Sequence, residues 1–383
     1  MNILVVVHYH YQGINVPTAL FVHNQMKAFA QAGHQVRALV PIAWGKRGED
    51  GRRFGPALSR MDVDSIEHLF LRHWSFSNYG RNGLNTRCAM AALRRHIDRI
   101  LEDFRPDVIH AHKLGGNTEV AALLREQAGC PLVFTSHGET QCEEPWKSDI
   151  KQAKPFADKA DRVVCVSSAT RATMEAARVS APLQVICNGF AIGSLLSVGE
   201  KRPGSILQAG YLIPRKHADV TIEAFRLLHG CHPETSLAII GKGPEREALE
   251  EQCARIGLTE AVRFTGEVPN RELLVEMGKT QFFVMPSIQE GFGIVYLEAM
   301  ASGCITIGTE GEGIADLIVS GENGFLVPPD DPDTIVQVIE WCLEHPEEAA
   351  AIAERGRRDA LDLTWEKNAE QYIRLFESLT ERK

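Results

Sequence analysis

The sequence predicts an α/β protein built from two doubly wound domains. Short apolar runs that are typical of buried parallel strands alternate with amphipathic helical segments along almost the whole chain. This alternation is characteristic of parallel sheets covered by helices. At 383 residues the chain is long enough for two or three domains, each with its own core. A polar connection that contains Gly and Pro, residues 191–203, separates the two halves, and we place the domain boundary there.

The first predicted domain, residues 1–195, begins with a strand, a helix and a second strand at 2–7, 21–32 and 36–40. The segment 44–60 is rich in Gly, Arg and Lys, which predicts a mobile loop. A long helix and four further strands complete the domain, at 85–104, 106–112, 131–136, 161–167 and 184–189. In open α/β sheets ligands bind beyond the carboxyl ends of the strands, so the residues that directly follow these strands are the candidates for a site.

Three histidines follow strands of this domain. His137 comes directly after the strand at 131–136 and is placed to reach a substrate. A single histidine after a strand is more often structural, so its position alone leaves both interpretations open. His8 and His10 follow the first strand on one face, but no third ligand is evident and a metal site is not predicted there.

The second predicted domain, residues 203–364, opens with a strand at 205–209 that is followed by Gly210, Arg215 and Lys216. A strand, a glycine and a cation before a helix form a suitable order for holding a diphosphate. An exposed lysine in a loop is ordinarily uninformative, so this interpretation depends on the rest of the domain.

A further strand of the second domain runs into Gly241-Lys242-Gly243. Taken alone, this Gly-x-Gly suggests a dinucleotide site. Arg246 occupies the position of the third glycine, however, and the first domain has no G-x-G-x-x-G either. The sequence therefore argues against an NAD-binding domain.

The most informative stretch is a strand at 282–285, the loop Glu290-Gly291-Phe292-Gly293 and a helix at 294–301. The two glycines let the backbone approach a ligand closely, and the amides at the helix N-terminus favour phosphate. Glu290 and Glu298 could accept hydrogen bonds from the hydroxyls of a sugar and a ribose. An isolated pair of glutamates at this spacing is as often a solvated loop residue and a helix-face residue. The glycines between them and the strand before them favour a site.

Glu290-(x7)-Glu298 around Gly-Phe-Gly resembles the donor-site motif of the retaining glycosyltransferases of family 4. The resemblance extends over nearly the whole chain and is strongest from about 205 to 330. It implies the GT-B fold, in which two Rossmann-like domains face a central cleft. Residues 1–195 would bind the acceptor, residues 203–364 the donor, and a last helix within 365–383 would pack back on the first domain. The segment from Phe21 to Gln25 is similar to the subgroup that builds bacterial cell-surface polysaccharides.

The same resemblance implies roles for individual residues. Glu290 would contact the transferred sugar, Glu298 the ribose and Lys216 the diphosphate, while the segment Thr135–Gly138 places His137 against the transferred sugar. The implied catalytic residues are His137, Glu290 and Lys216. The implied donor-binding residues are Gly13, Gly210, Arg215, Lys216, Gly241, Gly291, Phe292, Gly293, Ile294 and Glu298. Tyr211 stands where the family has an arginine, so either Arg215 supplies the missing charge or the phosphates are held with one cation fewer.

No cofactor is expected, since the donor substrate is a nucleoside-diphosphate sugar, and no metal is expected, because no convincing carboxylate cage for a cation is evident. Asp-x-Asp sequences can bind Mn²⁺ beside a sugar nucleotide, but Asp62-Val63-Asp64 lies in a polar stretch and Asp331-Pro332-Asp333 resembles a helix start. The expected acceptor is a saccharide or a lipid-linked saccharide. No nucleic-acid partner is expected.

Nine cysteines without a C-x-x-C pair indicate reduced thiols and a cytosolic protein. No signal peptide and no run of about 20 apolar residues is evident. The net charge of −9 is unevenly distributed: residues 1–199 carry 23 Lys and Arg against 18 Asp and Glu, and residues 200–383 carry 18 against 32. A positive first half suits an anionic membrane surface, although drift in surface composition explains it equally well. We expect a cytoplasmic protein, either soluble or peripheral on the inner face of the cell membrane.

Two other functions remain open from the sequence. One is a sugar-nucleotide-modifying enzyme, such as an epimerase or a dehydrogenase, which would need the glycine fingerprint that this chain lacks. The other is a non-catalytic nucleotide-sugar-binding protein on the same fold, which the substitution at Tyr211 keeps open.

Overall fold

The computed structural model describes residues 1–7, 17–44, 55–75, 82–112, 116–138, 150–191 and 199–381. The chain divides into two compact units, one formed by residues 1–189 with 365–383 and the other by residues 190–364. Each unit has a largely parallel sheet of its own, covered by helices.

The sheet of the first unit has eight strands: β1 Asn2–Val6, β2 Gln35–Ala43, β3 Leu58–Val63, β4 Ile66–His73, β5 Val108–His112, β6 Leu132–Ser136, β7 Arg162–Cys165 and β8 Leu183–Val185. Their order is β3-β4-β2-β1-β5-β6-β7-β8, and all pairs except β3 with β4 are parallel. Strand β1 lies in the middle, and its side chains from Ile3 to Val6 are fully buried. This burial on both faces explains why β1 is a continuous apolar run rather than an alternating one.

The helices of the first unit are α1 Pro17–Gln31, α2 Asn82–Glu102, α3 Gly116–Ala128, α4 Ile150–Ala157, α5 Ser168–Ala176 and, from the end of the chain, the last helix Trp365–Thr380. The last helix packs on α1. Gln25 donates a 2.6 Å hydrogen bond to Asn368, and the rings of Phe29 and Phe376 lie 5.7 Å apart between centroids. Phe376 is fully buried, so the last helix is part of the core of the first unit.

The hairpin of β3 and β4 departs from the sequence analysis, which predicts a loop over 44–60 and a polar stretch at 62–64. Residues 58–63 instead form an antiparallel edge strand, and Asp64 and Ser65 make the turn with φ of 49° and 64°. Two consecutive residues with positive φ are typical of tight hairpin turns. The strand is hard to recognise because its outward residues are polar and it contains no β-branched run. Residues 45–54 of the predicted loop lie outside the described residues.

The sheet of the second unit contains β9 Arg202–Ala209, β10 Ser236–Ile240, β11 Val262–Gly266, β12 Thr280–Val284, β13 Ile305–Thr309 and β14 Phe325–Val327. All paired strands are parallel, in the order β11-β10-β9-β12-β13-β14. The strand order reverses between β9 and β12. In doubly wound sheets the crevice at the carboxyl ends of these two strands is where ligands bind.

The helices of the second unit are α6 Ala218–Cys231, α7 Arg246–Arg255, α8 Asn270–Lys279, α9 Ile294–Ala301, α10 Pro332–Glu344 and α11 Pro346–Leu361, so the last helix of the chain is α12. Asp331 caps α10 by accepting a 3.0 Å hydrogen bond from the Thr334 amide, which confirms that this Asp-x-Asp is a helix start.

The first unit ends at Gly189, earlier than the predicted end at 195. Phe190 is buried, and its amide donates a 3.0 Å hydrogen bond to the carbonyl of Leu363. This contact attaches the segment after Gly189 to the end of the second unit. Within the described ranges, no helix is both long and apolar enough to cross a membrane.

Candidate active site

The carboxyl end of β9 leads into a glycine and a cationic turn. After Gly210, the residues Pro214–Lys216 form a single 3₁₀ turn that ends at His217, which has φ of 48°, before α6 begins. Gly241 follows β10, and a Cβ atom placed on it would lie 1.8 Å from the carbonyl oxygen of Gly210. Both glycines were predicted to bind the donor. The structure gives Gly241 a local reason to be glycine, because no side chain fits between these two backbones.

Arg215 and Lys216 of the cationic turn are held from two sides. The side chain of Gln208, which is on β9, donates a 2.8 Å hydrogen bond to the Lys216 carbonyl, and the Ile288 amide donates one of 2.9 Å to the Arg215 carbonyl. The Lys216 Nζ atom also lies 3.7 Å from the sulfur of Met285. The turn is therefore fixed against the residues that follow β12.

The loop after β12 is organised around a buried tyrosine. The hydroxyl of Tyr296 donates a 2.5 Å hydrogen bond to the Met285 carbonyl and lies 2.9 Å from the hydroxyl of Ser287. Gly293 has φ of 78°, and a Cβ atom placed on it would lie 2.6 Å from the ring of Tyr296. Phe292 is buried beside it. Glycine at position 293 is therefore needed both for the backbone conformation and for the space taken by the tyrosine ring.

Glu290 lies at the tip of this loop and meets both cations. Its carboxylate forms an ion pair with Lys216 and lies 3.3 Å from the nearest nitrogen of Arg215. The side chains of Lys216 and Glu290 are about nine-tenths buried. Burial alone would raise the pKa of Glu290, but the positive charges of Lys216 and Arg215 outweigh it, and the pKa lies below its usual value. Glu290 is therefore ionised at neutral pH.

Glu298 lies on the second turn of α9 and is half-buried. One of its carboxylate oxygens accepts a 2.9 Å hydrogen bond from the side chain of Asn270, the first residue of α8. Burial raises the pKa of Glu298 from its usual 4.5 to about 7, and the bond from Asn270 offsets only part of this effect. Near neutral pH this group can thus both accept and donate hydrogen bonds. Ile294, the first residue of the same helix, is half-buried.

Glu312 is a site residue that the sequence analysis missed. It follows β13, and its two carboxylate oxygens accept hydrogen bonds from the amides of Gln289 and Glu290 at 2.8 and 2.7 Å. The only sequence signal is its place between Gly311 and Gly313. A glutamate between glycines is common in loops and does not by itself indicate a role.

In the first unit, His137 follows β6 as predicted. Its Nε2 atom lies 2.9 Å from Nδ1 of His112, the last residue of β5, and the two rings are nearly parallel at 17°. Phe21 covers His137 from α1, with ring centroids 4.6 Å apart. His110 is fully buried next to His112, with centroids 4.1 Å apart, and bonds to the Thr135 hydroxyl at 2.8 Å. Burial, followed by the neighbouring imidazoles, lowers the pKa of His110 well below 6.5.

The structure thus brings together Arg215, Lys216, Glu290 and the glycine loop in the second unit, with Glu298 on the helix that follows. It places His137 in a histidine cluster of the first unit. Gly13 lies outside the described residues, as do His8 and His10. Among the described residues, no group of three or more His, Cys, Asp and Glu side chains is arranged to hold a metal ion.

Two units that each contain a largely parallel, helix-covered sheet are the architecture that the resemblance to the GT-B fold implies. A sucrose-phosphate synthase from Thermosynechococcus elongatus has a solved structure with a TM-score of 0.80 to this chain, at 20% identity, and the match covers 100% of this chain and 99% of the other. This similarity confirms the predicted fold class.

Sequence comparison then identifies the family. Residues 198–359 match the family described as Glycosyl transferases group 1, and residues 18–192 match Glycosyltransferase Family 4. A phosphatidyl-myo-inositol mannosyltransferase of Mycobacterium leprae is 30% identical over 300 residues, which are 75% of this chain and 78% of that protein. The chain therefore belongs to the family 4 glycosyltransferases, as its donor motif predicts.

Another relative is similar over a shorter region. A GDP-mannose-dependent α-(1-6)-phosphatidylinositol monomannoside mannosyltransferase of Mycolicibacterium smegmatis is 36% identical over 158 residues. The match spans 39% of this chain and 41% of the length of that relative.

Proposed function

We propose that this protein transfers a sugar from a nucleoside-diphosphate sugar to an acceptor hydroxyl, with retention of anomeric configuration and without a metal ion. The observation that carries the proposal is the cluster of Lys216, Arg215 and Glu290 at the carboxyl ends of β9 and β12. Two positive charges face one negative charge there. Lys216 and Arg215 are the positive charges of the cluster that would face a diphosphate leaving group.

Lys216 and Arg215 would stabilise the negative charge that develops on the leaving diphosphate. Preorganised charges in a partly buried site are worth more than the same charges in water, because they need no reorganisation during the reaction. The amides of Gly291 to Gly293, at the N-terminus of α9, would add backbone donors on the same side. A divalent cation usually performs this task, and the two side-chain cations could replace it. This is our reason for proposing metal-independent transfer.

Glu290 would bind hydroxyls of the transferred sugar once the diphosphate has replaced it as the partner of Lys216 and Arg215. Glu298, on the second turn of α9, would hold the ribose of the nucleotide. His137 of the first unit would contact the transferred sugar, as the family resemblance implies. Retention would give an α-linked product from an α-linked donor, and the anomeric proton of the product, observed by NMR, tests this part of the proposal.

For the acceptor we propose a saccharide or a lipid-linked saccharide, in polysaccharide or glycoconjugate synthesis. The names of the two mannosyltransferase relatives include a phosphatidylinositol lipid. This supports a lipid-linked acceptor. Arg87, Arg94 and Arg95 are exposed on α2 and would suit an anionic membrane surface. Binding to vesicles that contain anionic lipid, lost at high salt, would support peripheral attachment. Activity only on small soluble acceptors, with no vesicle binding at low salt, would contradict it.

The first test is thermal denaturation with UDP, GDP, ADP, dTDP and NAD⁺, each in EDTA and in Mg²⁺. A ligand at 100 times its dissociation constant adds about 2.7 kcal/mol, which is an easily measured shift in Tm. We expect one nucleoside diphosphate to stabilise equally well in EDTA and in Mg²⁺. Stabilisation by NAD⁺ alone, or only in Mg²⁺, would contradict the proposal.

Replacement of Glu290 separates a transferase from a non-catalytic binding protein. In a transferase, Glu290→Ala should abolish measurable sugar transfer, whereas Glu310→Ala, which changes an exposed residue next to β13, should leave it unchanged. A binding protein would show no transfer in either form and would keep its affinity for the sugar nucleotide. This alternative stays relevant because Tyr211, at the position of the family arginine, is 54% exposed and adds no positive charge.

A further inference from the structure

The loop that carries Glu290 is held by a second carboxylate from a different part of the chain. Glu312 accepts the Gln289 amide on one oxygen at 2.8 Å and the Glu290 amide on the other at 2.7 Å. The Gly313 amide returns a 3.2 Å hydrogen bond to the Glu290 carbonyl. Because both oxygens of one rigid carboxylate are used, two consecutive peptide groups are fixed in orientation together.

The loop has a backbone conformation that needs such a restraint. Gln289 has φ of 53°, in the left-handed region that residues other than glycine rarely adopt. Residues in this region persist where the surrounding contacts determine their conformation, and they are frequent at functional sites. The Ile288 amide is bound to the Arg215 carbonyl at 2.9 Å, and the Arg215 guanidinium donates a 3.4 Å hydrogen bond to the Gln289 carbonyl. Glu312 adds a restraint on the amide side of the same segment.

Glu312 is itself attached closely to the loop. A Cβ atom placed on Gly313 would lie 2.1 Å from the Gly291 carbonyl oxygen, so the two backbones are in direct contact. The 3₁₀ turn Gly313–Asp316 begins immediately after Glu312. Movement of the Glu290 loop relative to Glu312 would therefore break packing as well as hydrogen bonds.

We infer that Glu312 is a positioning residue, which fixes the backbone of Gln289 and Glu290 so that the Glu290 carboxylate points at the sugar-binding position. The inference rests on the proposed function, because Glu290 acts on a sugar only in that case. Glu312 binds backbone amides with both oxygens and leaves the substrate to Glu290. The Glu312 carboxylate would affect catalysis only by setting the position of the Glu290 carboxylate.

A double-mutant cycle tests this dependence. The variants are Glu312→Gln, Glu290→Gln and the double variant, with Glu310→Gln as the matched control, since Glu310 is exposed and loses the same charge. In Glu312→Gln the new side chain keeps one acceptor oxygen but turns an NH₂ group toward the second backbone amide. The assay measures nucleoside diphosphate released from UDP-, GDP-, ADP- and dTDP-hexoses with a saccharide acceptor. The dissociation constant of the corresponding free diphosphate is measured separately.

We expect Glu312→Gln to lower kcat about 10- to 100-fold, as for loss of a hydrogen bond to a charged group. The diphosphate should bind within about 2-fold of the wild-type affinity, because Lys216 and Arg215 are unchanged. If Glu312 acts only through Glu290, the double variant should be no slower than Glu290→Gln alone. Glu310→Gln should have wild-type kcat.

Three results would overturn the inference in distinguishable ways. Wild-type kcat in Glu312→Gln, or losses that multiply in the double variant, would show that Glu312 does not act through Glu290, while the proposed function stands. A fully active Glu290→Gln would remove the role of Glu290 itself. A wild-type protein that turns over no sugar nucleotide would remove the proposed function and this inference with it.

Discussion

The two units of the chain present different chemistry at the carboxyl ends of their strands. The second unit has charged side chains there, with Lys216 and Arg215 around Glu290. The first unit has imidazole rings, with His110, His112 and His137 packed against one another and Phe21 lying against His137. A charged cluster suits a leaving group that carries negative charge, whereas imidazole nitrogens suit hydrogen bonds with the uncharged hydroxyls of a sugar. The difference supports a division of labour between the units in the proposed reaction.

The largest expected effect comes from removing a cation of the charged cluster. Lys216→Ala should weaken binding of the preferred nucleoside diphosphate about 100-fold, because it removes a partly buried charge from the anion site and leaves Glu290 with Arg215 alone. Isothermal titration calorimetry measures this. Lys279→Ala, an exposed lysine directly before β12, is the control and should bind normally. Unchanged affinity in Lys216→Ala would mean that the charged cluster does not serve the diphosphate.

The next effect concerns the backbone beside the charged cluster. Gly293→Ala should lower the free energy of unfolding by about 2–3 kcal/mol, because it adds strain at φ of 78° and forces a methyl group into the ring of Tyr296. Gly311→Ala is a matched control, since Gly311 has φ of 73° and no described residue lies within 4 Å of the added carbon. Strain alone should cost it about 1 kcal/mol. Urea denaturation gives both values, and equal losses would show that the tyrosine ring moves freely.

The two units should respond to pH in opposite directions. Glu298 has a pKa raised to about 7, so the folded state binds more protons than the unfolded state between pH 4.5 and 7, and the second unit should lose stability as pH rises through this range. His110 has a lowered pKa, so the unfolded state binds more protons below about pH 6.5, and the first unit should lose stability as pH falls. Each group contributes at most about 1.4 kcal/mol per pH unit.

Native-state hydrogen exchange in the full chain separates these two slopes, because it reports on the core amides of each unit. Glu298→Gln should flatten the slope of the second unit only. His110→Gln should reduce the slope of the first unit only, and the remainder there comes from His68 and His34, whose pKa values burial also lowers. If either replacement left its slope unchanged, the pH dependence would have to be assigned to other groups.

The smallest expected effect is that of His137→Ala, which tests the different roles of the two units most directly. His137→Ala should lower kcat/KM for sugar transfer about 5- to 10-fold, as for loss of one hydrogen bond to the sugar. It should leave the affinity for free nucleoside diphosphate unchanged, since the charged cluster is intact. A loss of diphosphate affinity comparable to that of Lys216→Ala would contradict the division of labour between the units.

Much of the fold was predictable because it is encoded locally. The strand–helix alternation indicated two doubly wound domains, and α9 begins at Ile294 and ends at Ala301 as predicted. The hairpin of β3 and β4 was not predictable in the same way. Its edge strand is polar on its outward side, and its turn is formed by Asp64 and Ser65 rather than by glycine. Edge strands depend on the neighbour with which they pair, so the local sequence carries a weak signal.

Only part of the candidate site could likewise be predicted from local sequence. The types and spacing of Lys216, Glu290 and Glu298 singled them out, because a glycine loop after a strand has a recognisable pattern. Glu312 carries no such pattern, and its importance comes only from the two amides that it meets. His110 and His112 are likewise polar residues within a strand, and their cluster with His137 arises from the pairing of β5 with β6.

The sequence by itself determined the fold class, the family motif and the loop after β12, since each depends on residues that are close together in the chain. Only the tertiary structure decided that Lys216 pairs with Glu290, that Glu312 holds the Glu290 loop and that three histidines share one cluster. These contacts join residues that follow different strands. The order of strands in the sheet decides which loops become neighbours, and that order is set by the packing of the whole unit.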